Sequence, residues 1–389
     1  MIGYGRQYID DQDIQAVCDV LNSTNLTQGA EVELFENAIC DYTGAKYAVV
    51  VSSGTAALHL AAASISNEFE RLICPAISFV ASANISQYLG KDIVFADVSS
   101  NSPHISLDHV DHLARSSDVR NVVVVNHMAG MPCDMEHLSR IANKLDLTVI
   151  EDAAHALGAS YVNGGKVGNC AFSRLTIFSF HPVKSITTGE GGCITTNDEQ
   201  LYRRLVRLRS HGITKLNDEF LNQSESVTNS RNNQWYYEMR ELGFNYRLTD
   251  IQSALGRSQL KKLDSFIKWR QDISDHYDNE FDRAGIDRWV NHAKSSANHL
   301  YILKTEFDHN KMTRVNLIDS LRADGVGAQV HYIPINMHPY YVSKGFDVKD
   351  TPNALTYYRT CLSIPIFYKL EPDQQSTVIR SIRRHISFE

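Results

Sequence analysis

Phe178-Ser-Phe-His-Pro-Val-Lys184-Ser-Ile-Thr-Thr-Gly189-Glu-Gly-Gly-Cys-Ile194 joins a short apolar strand, Leu175 to Phe180, to a second strand through a glycine-rich turn. A single lysine, Lys184, stands a few residues beyond the first strand. A lysine held there is shielded from water, which disfavours the ammonium form and lowers the pKa, as a Schiff-base nucleophile requires. Residue type alone favours the other reading, a solvated lysine in a loop, because lysines are mostly exposed. The rest of the chain has to decide between the two.

Toward the N-terminus, Tyr47-Ala-Val-Val-Val51 reads as a strand that runs into Ser52-Ser-Gly-Thr55 and an alanine-rich helix, Ala56 to Ser64. Strands and helices then alternate: Arg71 to Cys74 and Ser78 to Tyr88, Ile93 to Ala96 and Leu107 to Ser116, Val122 to Asn126 and Asp134 to Leu145, then Leu147 to Ile150. Short β-rich runs separated by helix-length segments predict an α/β fold with a mainly parallel sheet covered on both faces. In such a fold the functional residues sit at strand C-termini. Two helices precede the first strand: Asp10 to Ser23, with Ile14, Val17 and Leu21 on one face, and a second with Phe35, Ala38, Ile39 and Tyr42, stopped by Gly44.

At 389 residues the chain exceeds what one core usually supports, about 250–300 residues, so two units are expected. The larger is read as residues 1–250 and the second, a linking long helix with a small α/β unit, as residues 251–389. Thr249-Asp-Ile-Gln252 has the spacing of a capping box and opens that helix. Beyond it a strand is expected at His299 to Thr305, a helix at Thr313 to Asp324, a strand at Gln329 to Ile333 and a last helix from Pro372. Residues 214–234 are polar and aperiodic, which predicts a mobile loop.

The net charge of −7, with basic residues dispersed, gives no nucleic-acid surface and no attraction to an anionic membrane. The early acidic residues Asp10, Asp11 and Asp13, and the lack of any long apolar run, lead us to expect a cytoplasmic protein. Seven cysteines without a Cys-x-x-Cys pair read as buried thiols. His104, His109 and His112 invite a metal reading, but no cysteine or acid pair completes it, so no metal is expected and the helix face is read as solvated.

Two further places carry candidate chemistry. Ser53-Gly-Thr55 sits at a strand-to-helix junction, where free amides and the positive helix end suit a phosphate; serine and threonine are equally ordinary N-caps. Val149-Ile-Glu-Asp152 ends a buried strand in two acids and is followed by His155. An aspartate there either caps and meets solvent, or holds a heteroaromatic nitrogen in its protonated form. His331-Tyr-Ile-Pro-Ile-Asn-Met-His338-Pro-Tyr-Tyr341 is dense in polar aromatics, either a packed loop or the lining of a substrate mouth.

Taken in order, Ser53-Gly-Thr55, Ser78-Phe-Val-Ala-Ser-Ala-Asn84, Glu151-Asp-Ala-Ala-His155, the Lys184 stretch with Gly189-Glu-Gly-Gly192, and Leu242-Gly-Phe-Asn-Tyr-Arg-Leu-Thr249 resemble the pyridoxal-phosphate-dependent nucleotide-sugar aminotransferases of fold type I. The likeness runs from about Gly3 to the last helix. It implies a seven-stranded-type sheet and a smaller C-terminal unit. It implies that Lys184 carries pyridoxal 5′-phosphate as a Schiff base, that Asp152 holds the pyridine nitrogen, and that Phe79 stacks on the ring. Gly54, Thr55 and Ser179 then bind the phosphate, His155 lies near the ring hydroxyl, and Asn245 reaches the phosphate from the neighbouring subunit of a homodimer with shared sites. Arg6, His181, Arg247 and His331 become candidates for the donor carboxylate or the substrate diphosphate.

The implied reaction moves an amino group from L-glutamate to the 4-keto carbon of a UDP-linked 4-keto-6-deoxy-N-acetylhexosamine, as on a route to pseudaminic acid. A dTDP- or GDP-linked keto sugar, a sugar dehydratase and a non-catalytic regulatory homologue are the alternatives. Lys184 and Asp152 are both present, which speaks against the last two. Met128, where an aromatic residue is expected, and Ser185, in place of a proline, are the departures from the pattern.

Overall fold

The computed structural model describes residues 1–216, 220–290, 293–307 and 312–386. Seven strands, β1 (Tyr47–Val51), β2 (Arg71–Pro75), β3 (Asp92–Ala96), β4 (Asn121–Asn126), β5 (Thr148–Asp152), β6 (Leu175–Ser179) and β7 (Gly192–Thr196), form one sheet in the order β1-β7-β6-β5-β4-β2-β3. All neighbours are parallel except those of β7, which runs against both β6 and β1.

The sequence of β4 explains why the sheet is buried on both sides. Val122 and Val124 enter one apolar cluster, while Val123 and Val125 enter another, and all four are fully buried. Alternate residues of a strand point to opposite faces, so a run of branched residues without polar alternation needs a helix layer on each side. The helix Gly54–Ser64 supplies one layer with its alanines, and Phe35 and Ile39 of Ala30–Thr43 supply part of the other. Because β1, β4, β5 and β6 run the same way, Val51, Asn126, Asp152 and Ser179 end at one edge of the sheet.

A second, antiparallel sheet is built from Asp287–Arg288, Tyr301–Lys304 and Cys361–Ile364. The helices Leu263–Arg283, Arg314–Ala323 and Pro372–His385 pack with it around a third core that includes Tyr277, Phe281, Tyr301, Leu321 and Ile382. No described helix is long and apolar enough to cross a membrane.

Four expectations are corrected. The long helix after Thr249 is two, Asp250–Leu260 and Leu263–Arg283, although the predicted capping box of Thr249 and Gln252 is present. Lys262 stands at the break, at φ −104° and ψ −4°, and its ammonium bridges the carboxylates of Asp10 and Asp13 at 2.7 Å each. The first helix, Asp11–Leu21, does not bury the apolar face read from its spacing: Ile14 and Leu21 are each 55% exposed. It buries Asp13 instead, which accepts hydrogen bonds from Ser258, Gln259 and Lys262, a polar anchor that hydrophobic periodicity cannot reveal.

Gln329 to Ile333 is not a strand. Only Gln329 bridges to Ser363, because His331 and Tyr332 are drawn into the wall of a cavity. The polar segment 214–234 contains regular structure: Val227–Thr228 pairs with Arg231–Asn232, and Ile213–Thr214 pairs with Glu238–Met239. Residues 217–219 of that segment lie outside the described residues.

Candidate active site

The strand edge defined by Asn126, Asp152 and Ser179 forms the floor of a cavity of about 400 Å³, with Ser53, Phe79, His155, Lys184 and Tyr332 among its walls. β1 lies two strands away from β6, yet its following loop reaches this floor by crossing the start of β7. Gly192 makes the crossing possible: a Cβ there would lie 2.5 Å from the carbonyl oxygen of Ser53. Gly54 is as closely fitted on the other side, since its Cβ would stand 2.8 Å from Cβ of Ser179.

Ser53 caps the helix Gly54–Ser64, its hydroxyl accepting from the amide of Ala56 at 3.0 Å. That bond uses only one of the free amides of the first turn. Those of Gly54 and Thr55 find no acceptor among the described residues, so the turn is capped by Ser53 and still offers amides to an anion.

Asp152 and Glu151 show how alternation divides two adjacent acids. Asp152 faces the cavity, where its Oδ2 accepts from the hydroxyl of Ser82 at 2.7 Å and its Oδ1 from the amide of Ala154 at 3.2 Å. Ser82 is itself paired with Ser78, 2.8 Å away. Glu151 points through the opposite face, fully buried, and accepts from His127 Nε2 at 2.7 Å, Tyr161 at 2.6 Å, and the hydroxyls of Ser173 and Thr176. Burial raises the pKa of Glu151, but the donors led by His127 outweigh it and leave the carboxyl below its ordinary value.

Lys184 lies in a loop pinned at both ends. Its amide donates to His181 O at 2.9 Å, the amide of Phe180 donates to Gly191 O at 2.8 Å, and the Thr187 hydroxyl donates to Phe180 O at 3.1 Å. The side chain is half-buried, and burial lowers its pKa to about 8 while the charge of Asp152 pulls the other way. Its ammonium has no hydrogen-bond or ion-pair partner among the described residues. Lys184 therefore stands in a cleft rather than on an open loop, and an amine of lowered pKa there is what nucleophilic and proton-transfer chemistry needs.

Three histidines surround this amine. The rings of His155 and His299 lie 4.3 Å apart, tilted by 42°, and His331 pairs through Nδ1 with Ser363 Oγ at 2.9 Å. Burial, followed by nearby positive charge that includes Lys184, holds all three below the usual histidine pKa, His331 at about 3. They are therefore neutral at physiological pH. The phenol of Tyr332 lies 3.2 Å from His155 Nε2.

Of the residues singled out from sequence, Gly54, Thr55, Phe79, Asp152, His155, Ser179, His181, Lys184 and His331 line the one cavity. Phe79 presents a ring that is 56% exposed. Three lie elsewhere. Arg6 stacks on Phe367 behind the Lys184 loop, Arg247 donates to Ser210 Oγ in a separate depression, and Asn245 pairs by backbone with Ser210. His104 and His109 are half-buried and bonded to backbone, at Met131 O and the amide of Asp97, rather than on a solvated face. The residues sequence reasoning left without a role are Ser82, inside a quoted motif, and Tyr332, inside the aromatic-rich stretch.

The site fits pyridoxal phosphate on its own features. Free amides at a helix start meet a close-fitting glycine, a carboxylate with two fixed donors faces into the cavity, and a lysine of lowered pKa stands beside an exposed aromatic ring.

Comparison with known proteins agrees. The model of the DegT/DnrJ/EryC1/StrS aminotransferase family matches residues 7–383. The UDP-4-amino-4,6-dideoxy-N-acetyl-β-L-altrosamine transaminase of Campylobacter jejuni is 37% identical over 94% of this chain and 92% of its own length. Among solved structures, Helicobacter pylori PseC, an aminotransferase involved in the biosynthesis of pseudoaminic acid, superposes with a TM-score of 0.88 at 31% identity, covering 99% of each chain. Spr1654 from Streptococcus pneumoniae in its PLP form gives 0.87 at 26% identity, covering 98% of each.

Proposed function

The chain belongs to the DegT/DnrJ/EryC1/StrS aminotransferase family and is a pyridoxal-phosphate-dependent sugar aminotransferase, and from that premise we propose that it moves the amino group of L-glutamate to the 4-keto carbon of a UDP-linked 4-keto-6-deoxy-N-acetylhexosamine. The substrate class rests on the similarity to the Campylobacter and Helicobacter enzymes along nearly the whole chain. The observation that carries the chemistry is Lys184, whose pKa is lowered to about 8 beside Asp152 in one cavity.

In this reading the amides of Gly54 and Thr55 and the hydroxyl of Ser179 would hold the cofactor phosphate, Phe79 would pack against the ring, and Lys184 would bind the aldehyde carbon. Bound pyridoxal phosphate supplies an electron sink for the charge left when the amino-bearing carbon loses a proton. Asp152 keeps the pyridine nitrogen protonated and so maintains that sink. Lys184 Nζ would remove the proton from Cα of glutamate as a base whose pKa burial lowers to about 8. In the second half-reaction the same nitrogen delivers a proton to the sugar carbon, and the face it occupies fixes the product configuration. The neutral ring of His331 and the rim residue His181 border the space left for the sugar.

We read the active unit as a homodimer in which Asn245 completes the phosphate site of the partner. Asn245 lies outside its own chain's cavity, and Trp235, Met239 and Leu242 nearby are 76%, 61% and 79% exposed, an apolar surface suited to a second copy. The same reading divides the chain after residue 250, with the third core drawing its helices from the second part. The deciding assay supplies glutamate with UDP-, dTDP- and GDP-linked 4-keto sugars and determines the product by NMR. Preference for a dTDP or GDP sugar overturns the assigned substrate.

A further inference from the structure

A second, much smaller cavity lies against the Lys184 loop. It measures about 10 Å³, room for one particle the size of a water, and is bounded by the N-terminal strap at Arg6, the loop residues Ser185, Ile186 and Thr187, and Arg270 of the helix Leu263–Arg283. Lys184 borders this cavity as well as the larger one. The wall therefore carries Arg6, Lys184 and Arg270, and no carboxylate among the described residues.

Arg270 is 2% exposed, and only its Nη1 is bonded, to the carbonyl oxygens of Ile366 at 2.8 Å, His299 at 3.3 Å and Asn298 at 3.4 Å. Its Nε is buried with no partner among the described residues. Burial lowers its pKa to about 10, and no acid opposes that shift. Carbonyl oxygens satisfy N–H groups but do not cancel a charge, and a buried cation without a counter-charge is costly.

The loop adds donors to the same place. Ser185, Ile186 and Thr187 are all buried, yet their amides find no acceptor among the described residues. Buried amides are seldom left unpaired. Ser185 stands where the family pattern has proline, so this chain gains an N–H that proline lacks, together with a hydroxyl. The surplus around the cavity is one of donors. A water placed there brings two protons that need acceptors of their own, whereas a halide accepts from every side.

We infer that this cavity binds a monatomic anion, chloride in the cell, between the Arg270 guanidinium and the loop at Ser185 to Thr187, and that the anion holds in place the loop that carries Lys184. The loop's own hydrogen bonds leave a gap there: the amide of Lys184 donates to His181 O and that of Thr188 to Phe180 O, while the amides between them are unbonded. An anion accepting from those amides closes the gap. The site is built from the chain's own donors and stands whether or not the larger cavity takes pyridoxal phosphate.

Bromide substitutes for chloride and scatters anomalously, so crystals of the protein as purified, grown without chloride, are soaked in sodium bromide. An anomalous peak between Arg270 and Ser185 is expected; a cavity with no such peak, empty or holding water, overturns the inference. In solution, thermal denaturation is followed as chloride replaces gluconate at constant ionic strength. Chloride is expected to raise Tm by about 2 °C in the native protein and to leave it unchanged in Ser185→Pro, which keeps Arg270 but loses the amide and the hydroxyl. No shift in the native protein means halide binding at crystal concentration only and overturns the inference, as does an equal shift in Ser185→Pro. If Ser185→Pro does not fold, the bromide map and the native titration decide.

Discussion

Replacing Ser82 with alanine removes one of the two hydrogen bonds that aim Asp152 into the cavity. The serine hydroxyl donates to Oδ2 at 2.7 Å, shorter than the 3.2 Å bond from the Ala154 amide to Oδ1, and Ser82 is fully buried. Asp152 is itself only 6% exposed, so water does not replace the lost donor. A hydrogen bond to a charged group contributes about 1.5–3 kcal/mol, and Ser78, 2.8 Å from Ser82, loses its partner as well.

If Asp152 keeps the pyridine nitrogen protonated, that energy is felt where charge develops on the ring. The expected loss is about 10- to 100-fold in kcat, with KM for the sugar changed much less. Steady-state kinetics on the cofactor-saturated variant measure this, and Ser82→Thr, which retains the hydroxyl, is expected to recover most of the rate. A Ser82→Ala enzyme within twofold of the native kcat refutes the assignment. So does an equal loss in Ser82→Thr, which points to packing.

Four other outcomes follow from the same geometry. Gly54→Ala places a Cβ 2.8 Å from Ser179 and is expected to weaken cofactor binding by at least tenfold in equilibrium dialysis, because the phosphate cup closes. With Lys184 at a pKa near 8, the rate at which the cofactor-free protein takes up pyridoxal phosphate rises about tenfold between pH 7 and pH 9 in stopped-flow absorbance measurements, since the free amine is the reactive form. Glu151→Gln leaves the donors His127, Tyr161 and Ser173 facing an amide and costs about 3–5 kcal/mol by denaturant titration. The folded fraction of that variant keeps its kcat, because Glu151 faces away from the cavity. Mixing inactive Lys184→Ala and Asn245→Ala chains restores activity at about a quarter of the sites if each site is shared between subunits.

Much of this was legible in the sequence, for identifiable reasons. The valine run of β4 and the alternation around it dictate a sheet buried on both faces, and the motifs at the ends of β1, β5 and β6 mark where chemistry collects. What the sequence concealed depends on partners far along the chain. Asp13 is buried because Gln259 and Lys262 meet it, and the same lysine marks the break between two helices that periodicity joins. Gln329 to Ile333 has the composition of a strand, but His331 and Tyr332 serve the cavity wall instead of a ladder. Ser82 and Tyr332 contact Asp152 and His155, which no spacing rule connects to them.

The central claim is that Lys184 holds the cofactor and carries the proton. Borohydride reduction of the purified yellow protein, followed by peptide mass spectrometry and by assay of Lys184→Ala with glutamate and the UDP-linked keto sugar, tests it most directly. The account predicts a reduced pyridoxyl adduct on Lys184 alone and no amino transfer by the variant. An adduct on another lysine, or glutamate-dependent transfer by Lys184→Ala, contradicts it.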